Sequence, residues 1–151
     1  MQTKKQSTLT KLLSALVLPA VLSLCAATSA QADPKPQLSG MFGVARGQVA
    51  RINAVNLGGP DTRPVQIEMQ FIDAMGNVVA RDTKTIPAGQ ATFHDFDFAA
   101  FAIEGNRVQL RALVRAIPND GDKNLRGTIE VFDADTGRNT TFIRLNIEPN
   151  D

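Results

Sequence analysis

The chain has 151 residues, 43% of them hydrophobic, 21% charged and 5% aromatic, which excludes disordered, collagen-like and multi-span membrane classes. The first 32 residues carry Lys4, Lys5 and Lys11 and no acid, so the rest holds 13 basic against 15 acidic groups, a net charge of −2. A chain so close to neutral is no obvious nucleic-acid or anionic-membrane binder.

Residues 1–11 are polar and basic. Leu12 to Ala27 form an apolar run broken only by Ser14, Pro19 and Ser23, and Ala30-Gln31-Ala32 supplies small residues at an exit point. These are the three parts of a secretory signal. The apolar run is 16 residues, shorter than the ~20 a spanning helix needs, and Pro19 breaks it. The sequence therefore predicts a signal peptide over 1–32, cleaved near Ala32, and a secreted or periplasmic product without a membrane span. Leu22-Ser23-Leu24-Cys25 partly matches a lipoprotein signal, which makes lipid attachment at Cys25 the lesser alternative. Cys25 is the single cysteine. Its removal with the signal leaves no disulfide, no cysteine-ligated metal and no cysteine nucleophile. A domain of about 120 residues can still bury roughly two-thirds of its unfolded surface.

Asp33 to Gly40, with two prolines, reads as a flexible extended lead-in (33–40) before a folded domain over 41–149. From there the dominant pattern is alternation with period two. Met41 to Arg46 suits a short leading strand, and Gln48 to Leu57 a weaker one, with Ala50, Ile52 and Ala54 on one face. Val65, Ile67, Met69 and Phe71 alternate with Gln66, Glu68 and Gln70 in the clearest strand. Asp97 can cap a helical turn over Phe98 to Ile103, with Phe98, Phe101 and Ala102 on one side. Val108, Leu110, Ala112, Val114 and Ala116 then alternate with Arg107, Gln109, Arg111, Leu113 and Arg115. Ile129 and Val131 alternate with Thr128 and Glu130, and Phe142 to Ile147 is a last apolar run. Turn residues fall between these runs at Gly58-Gly59-Pro60-Asp61, Gly76-Asn77, Pro87-Ala88-Gly89, Gly105-Asn106, Asn119 to Asp122 and Asp135-Thr136-Gly137. About seven to eight short strands with regular turns predict an all-β, single antiparallel sandwich with one short helical turn.

Several stretches taken in order resemble an uncharacterised family of exported bacterial domains with an immunoglobulin-like sandwich. They are Phe42-Gly43-Val44-Ala45-Arg46-Gly47-Gln48 with Arg51-Ile52-Asn53-Ala54-Val55-Asn56, Phe71-Ile72-Asp73 with Gly76-Asn77, Pro87-Ala88-Gly89-Gln90, and Glu130-Val131-Phe132-Asp133 with Thr136-Gly137. The resemblance implies secretion and an immunoglobulin-like fold. It implies no activity and no functional residue.

Chemistry-bearing residues are few. His94, the one histidine, stands beside Asp95, and Ser39 is the one serine after the signal. Ser39 lies outside any strand–serine–helix elbow, and His94 between Phe93 and Phe96 suits a packed strand position, so no catalytic group is expected. One histidine and no cysteine leave no zinc or copper set. Asp120, Asp122 and Asn124 place oxygens at alternate positions, as at the start of a calcium loop. Leu125 and Val131 stand where that loop wants Gly and Glu, so a polar hairpin tip is the plainer reading and Ca²⁺ the one weakly indicated cofactor.

Arg107, Arg111 and Arg115 share the outward face of one strand, about 13 Å apart at 3.3 Å per residue. They could take an anionic glycan through their forked guanidinium groups. The plainer alternative is a cross-strand ladder in which outward Glu68 and Glu130 neutralise them. The eight phenylalanines are expected in the core, and the absence of Trp and Tyr argues against a sugar-stacking platform. The sequence thus predicts a non-catalytic structural or interaction module that meets another exported protein or an envelope surface. The alternative is an anionic-glycan or calcium-assisted ligand binder, and a hydrolase is the remote one.

Overall fold

The computed structural model of the chain describes residues 35–101, 105–117 and 123–147. The expected signal peptide over 1–32, with Cys25, lies outside them. In strand β4 (Val65–Asp73), alternation turns Val65, Ile67, Met69 and Phe71 into the core. In β7 (Arg107–Ala116) it does the same for Leu110, Ala112, Val114 and Ala116. These two strands pair antiparallel, Ile67 opposite Ala116 and Phe71 opposite Ala112, and form the centre of the first sheet. Beyond β4 lies β5 (Val78–Ile86). Beyond β7 lie two short strands end to end, β1 (Gln37–Leu38) and β2 (Phe42–Ala45), with β10 (Asn146–Ile147) outside β1.

The second sheet runs β6 (Ala91–Asp97), β3 (Gln48–Asn56), β8 (Leu125–Asp133), β9 (Asn139–Arg144). Its inward residues Ala50, Ile52, Ala54, Phe96, Leu125, Ile129 and Val131 meet those of the first sheet in one core. All pairings are antiparallel, and the fold is an all-β sandwich, as the alternation predicts. Aromatic contacts tie the layers: the Phe71 ring lies 5.6 Å from Phe96, and Phe96 stacks on Phe101 at 4.5 Å. Pairs of this kind add about 0.5–1.5 kcal/mol beyond burial.

Two hairpins close on the same device. Asp73 accepts from the N–H groups of Met75 and Asn77, each at 2.8 Å, and Gly76 takes a φ of +90° that a side chain would oppose. Asp133 repeats this with Thr136 before Gly137 at φ +67°. The side-chain bond from Asn77 and that from Thr136 hold the two carboxyl groups below their ordinary pKa.

The fold corrects three expectations. The lead-in is not a free linker from Gln37 onward: β1 is a sheet strand, Gln37 is buried, and Ser39 exchanges two bonds with Ala112. Lateral hydrogen bonding to β7, invisible to periodicity in two residues, overrides the linker composition. The helical turn is shorter than predicted, a 3-10 turn over Phe98–Ala100. Asp97 caps it through the Ala99 N–H at 2.9 Å, but Phe101 is already extended, because its ring is drawn onto Phe96. Ala102 and Ile103 lie outside the described residues. The phenylalanines are not all core: Phe93 and Phe142 are 47% and 57% exposed, because they occupy outward positions of β6 and β9.

Candidate functional site

The outward positions of the second sheet gather its distinctive side chains. One cross-strand row reads Asp95, Arg51, Glu130, Phe142, one residue from each strand. Arg51 forks onto Asp95, Nε to Oδ1 at 2.7 Å and Nη2 to Oδ2 at 2.8 Å. Its guanidinium carbon sits 4.0 Å from the centre of the Phe93 ring and 5.2 Å from that of Phe132. The bond from Asp95, opposed by some burial and aided by the charges of Asp95 and Glu130, holds Arg51 more firmly in its charged form. An arginine fixed by a carboxylate and two rings loses little freedom on meeting a partner, and each ring contact contributes about 0.5–1 kcal/mol at an exposed site.

The result is an aromatic and cationic face with carboxylates set into it. A cleft of about 270 Å³ beside it is lined by Arg51, Glu130, Phe132, Gly137 and Asn139. A second, of about 680 Å³, follows the hairpin through Asp133, Thr136, Arg138, Asn139 and Thr140. Both clefts are open to solvent. Phe93, Phe132 and Phe142 are among the phenylalanines that the sequence places in the core. For two of them the signal that places them outside is parity, since Phe93 is out of phase with buried Phe96 and Phe132 with buried Ile129 and Val131, whereas Phe142 is placed by the pairing of β9, which has no buried residue.

The arginine strip lies on the outer face of the first sheet, and the structure divides it. Arg115 stands directly across from Glu68 and binds Oε2 through Nε and Nη2, both at 2.6 Å. Arg81 on β5 binds Oε1 at 3.1 Å, and the Glu68 side chain is only 6% exposed. Burial pushes the Glu68 pKa up, but bonds from Gln70 and Arg115 and the charges of Arg115 and Arg81 outweigh it and leave the group below its ordinary value. The Arg107 guanidinium lies over Gly43, where a Cβ would collide with it. Among the described residues no carboxylate comes within 4.0 Å of Arg107 or Arg111. The ladder expectation therefore holds for Glu68 and needs correction for Glu130. That residue belongs to the second sheet and stands opposite Arg51, because β8 pairs with β3.

His94 faces inward from β6 against Phe71, ring centres 5.6 Å apart. Its Nδ1 is 3.8 Å from Asp82 Oδ2 of β5, and its Nε2 is buried without a partner. Burial lowers its pKa, with Lys84 adding to that and the charges of Asp82 and Asp95 opposing it. Lys84 of β5 also pairs with Asp82 at 3.2 Å and donates to the Phe93 carbonyl, joining the edges of the two sheets. Ser39 lies on the β1 side of the first sheet, with β7 and β4 between it and β5. At about 4.8 Å per strand these groups do not assemble. Of the calcium candidates, Asp120 and Asp122 lie outside the described residues. Asn124 is half-buried, and its carbonyl oxygen accepts from the Leu57 N–H at 2.8 Å. Among the described residues no three His, Cys, Asp or Glu side chains are placed to hold a metal ion, and no helix is long and apolar enough to cross a membrane.

No family model matches the chain, and no curated protein matches it. Among solved structures, the crystal structure of Thermotoga maritima 1070 superposes with a TM-score of 0.53 at 8% sequence identity, over 78% of this chain and 97% of that one. At that identity the likeness shows the sandwich fold and carries nothing about chemistry.

Proposed function

We propose that the chain is an exported, non-catalytic sandwich that serves as an interaction module and binds another exported protein through the outer face of its second sheet. The observation that carries this reading is the exposure of Phe93 and Phe142 around the fixed guanidinium of Arg51. Aromatic and arginine side chains dominate the binding energy of protein interfaces, and solvent-facing phenylalanines are otherwise a solubility liability. Export rests on the sequence of residues 1–32, with the signal removed near Ala32. The immunoglobulin-like reading draws support from the pairs β3–β6 and β4–β7, which correspond to the B–E and C–F pairs of that fold. The outer strands depart from it, since β8 lies beside β3 and β1 and β2 lie beside β7.

A second reading, an anionic-glycan contact, is favoured by Arg107 and Arg111, which have no acid partner among the described residues. It loses Arg115 to Glu68.

Matched baits separate the two. Protein carrying Phe93→Ser and Phe142→Ser, and protein carrying Arg107→Gln and Arg111→Gln, are compared with the parent for capture of proteins from an envelope extract and for retention on heparin resin. The proposal expects a protein partner lost only with the phenylalanine pair. Heparin retention lost only with the arginine pair, with no protein partner, would transfer the function to the strip.

A further inference from the structure

We propose that two copies of this chain pair antiparallel along β9, joining their second sheets into one eight-stranded sheet. This goes beyond the interaction reading above, because it uses the edge of that sheet and leaves Phe93, Arg51 and Phe132 uncovered in each copy.

The backbone of β9 is the starting point. Leu145 donates to the Gly127 carbonyl at 3.0 Å, and Ile143 stands opposite Ile129. Hydrogen-bonded positions alternate along an antiparallel pair, so Ile143 directs its backbone groups to β8 while Phe142 and Arg144 direct theirs away. Among the described residues no strand takes them, since β9 pairs with β8 alone.

Natural sheet edges are usually blunted by charge, proline or cover. On β5 the charged Asp82 and Lys84 stand opposite the core residues Met69 and Ile67, and on β6 the Phe93 carbonyl is covered by Lys84. Strand β9 has one irregularity, a register shift on β8 beside Thr140, and from Thr141 to Arg144 it has neither proline nor cover. Its six residues, Asn139-Thr140-Thr141-Phe142-Ile143-Arg144, contain no acid and no proline, and their one charge is at the end.

The strand also complements itself. With the two-fold axis at Phe142, that residue stands opposite Phe142 of the partner subunit, and Arg144 stands opposite Thr140 of the partner subunit. Arg144 is then the diagonal neighbour of the ring of Phe142 of the partner subunit, within cation–π reach. The two arginines fall at opposite ends of the shared ladder, about 13 Å from each other by strand rise, so they do not repel strongly. A second copy thus satisfies the free backbone groups, covers the exposed ring and places the lone charge on an aromatic face.

The test is sedimentation of the purified protein from about 10 µM to about 1 mM, the range where a small edge interface populates. The proposal expects the mass to rise from one chain towards two, with amide exchange at Phe142 and Arg144 slowing as the dimer fills. Phe142→Lys sets like charges at the axis, and Arg144→Pro removes an outward N–H without touching the β8 ladder. Each should return the mass to one chain across the range while the circular dichroism stays that of the parent. A single-chain mass at every concentration overturns the proposal. So does a dimer that survives both variants, or a β9 edge that pairs only with a different polypeptide. The outer-face reading is told apart through Phe93, which the pairing leaves uncovered, whereas Phe142 is shared by both.

Discussion

The side-chain amide of Gln37 completes the backbone of Gly127. Its Oε1 accepts from the Gly127 N–H at 2.9 Å, while its Nε2 donates to the Leu125 carbonyl at 2.8 Å. At this point the chain leaves the second sheet, since β10 pairs with β1 in the first. On the β9 side the Leu125 carbonyl and the Gly127 N–H therefore have no strand partner, and a carboxamide from the opposite sheet supplies the missing donor and acceptor. Gln37→Leu would orphan two buried backbone groups. At about 1–3 kcal/mol each, urea unfolding should show a loss of about 2–4 kcal/mol. Gln37→Glu, which keeps an acceptor and loses the donor, should not restore the parent value.

Gly127 is held to its identity by the same crossing. A Cβ there would sit 2.5 Å from Leu145 Cδ1 and 3.5 Å from Gln37 Oε1. Gly127→Ala should lower stability by about 1–3 kcal/mol through overpacking, read in the same denaturation experiment. Gly40→Ala, where a Cβ meets nothing within 4 Å, should stay within about 0.5 kcal/mol.

Glu68 and two of the strip arginines give a graded series. Arg115→Ala strands a buried carboxylate that keeps only Arg81 and Gln70, and should lower stability by about 1–3 kcal/mol. Arg111→Ala should change it by less than about 0.5 kcal/mol. The folded Glu68 pKa lies below its unfolded value of 4.5, so its contribution is complete above that pH and is lost as pH falls through the folded value. Stability measured from pH 5 to pH 3 should fall more steeply in the parent than in Glu68→Gln.

His94 has the same sign of dependence for a different reason. Burial lowers its folded pKa below 6.5, so the neutral ring is the one the fold accommodates. Its contribution is present above pH 6.5 and is lost as pH falls through the folded value. Asp82 and Asp95 oppose the shift and Lys84 adds to it. Because Nε2 is buried without a partner, His94→Met should match or exceed the parent in stability at pH 7.5. It should also flatten the decline in melting temperature between pH 7 and pH 5. A loss above about 1 kcal/mol at pH 7.5 would show that the nitrogen has a partner.

The legible part of this fold was whatever a two-residue period can carry. The inward and outward positions of β4 and β7 follow from alternation alone, down to Glu68 and Arg115 facing outward. Strand β5 escaped because Asp82 and Lys84 take inward positions at a sheet edge, where they can reach solvent and His94, and so break the apolar period. Which strands pair was not legible either. Glu130 reads as a partner of the arginine strip because periodicity gives the face of a residue and not the identity of its sheet. Gln37 looked like linker because its role depends on a crossing nearly ninety residues away. At the candidate face the parity of Phe93 and Phe132 is legible, but the general tendency of phenylalanine towards the core overrides it, and Phe142 stands in an apolar run that shows no face.

The reading of this protein as an interaction module depends on aromatic rings that face water. Hydroxyl-radical footprinting of the dilute protein, read phenylalanine by phenylalanine, measures that directly. Phe93 and Phe142 should oxidise readily while Phe71 and Phe96, both fully buried, stay protected. Protection of Phe93 and Phe142 equal to that of Phe71 would contradict the account.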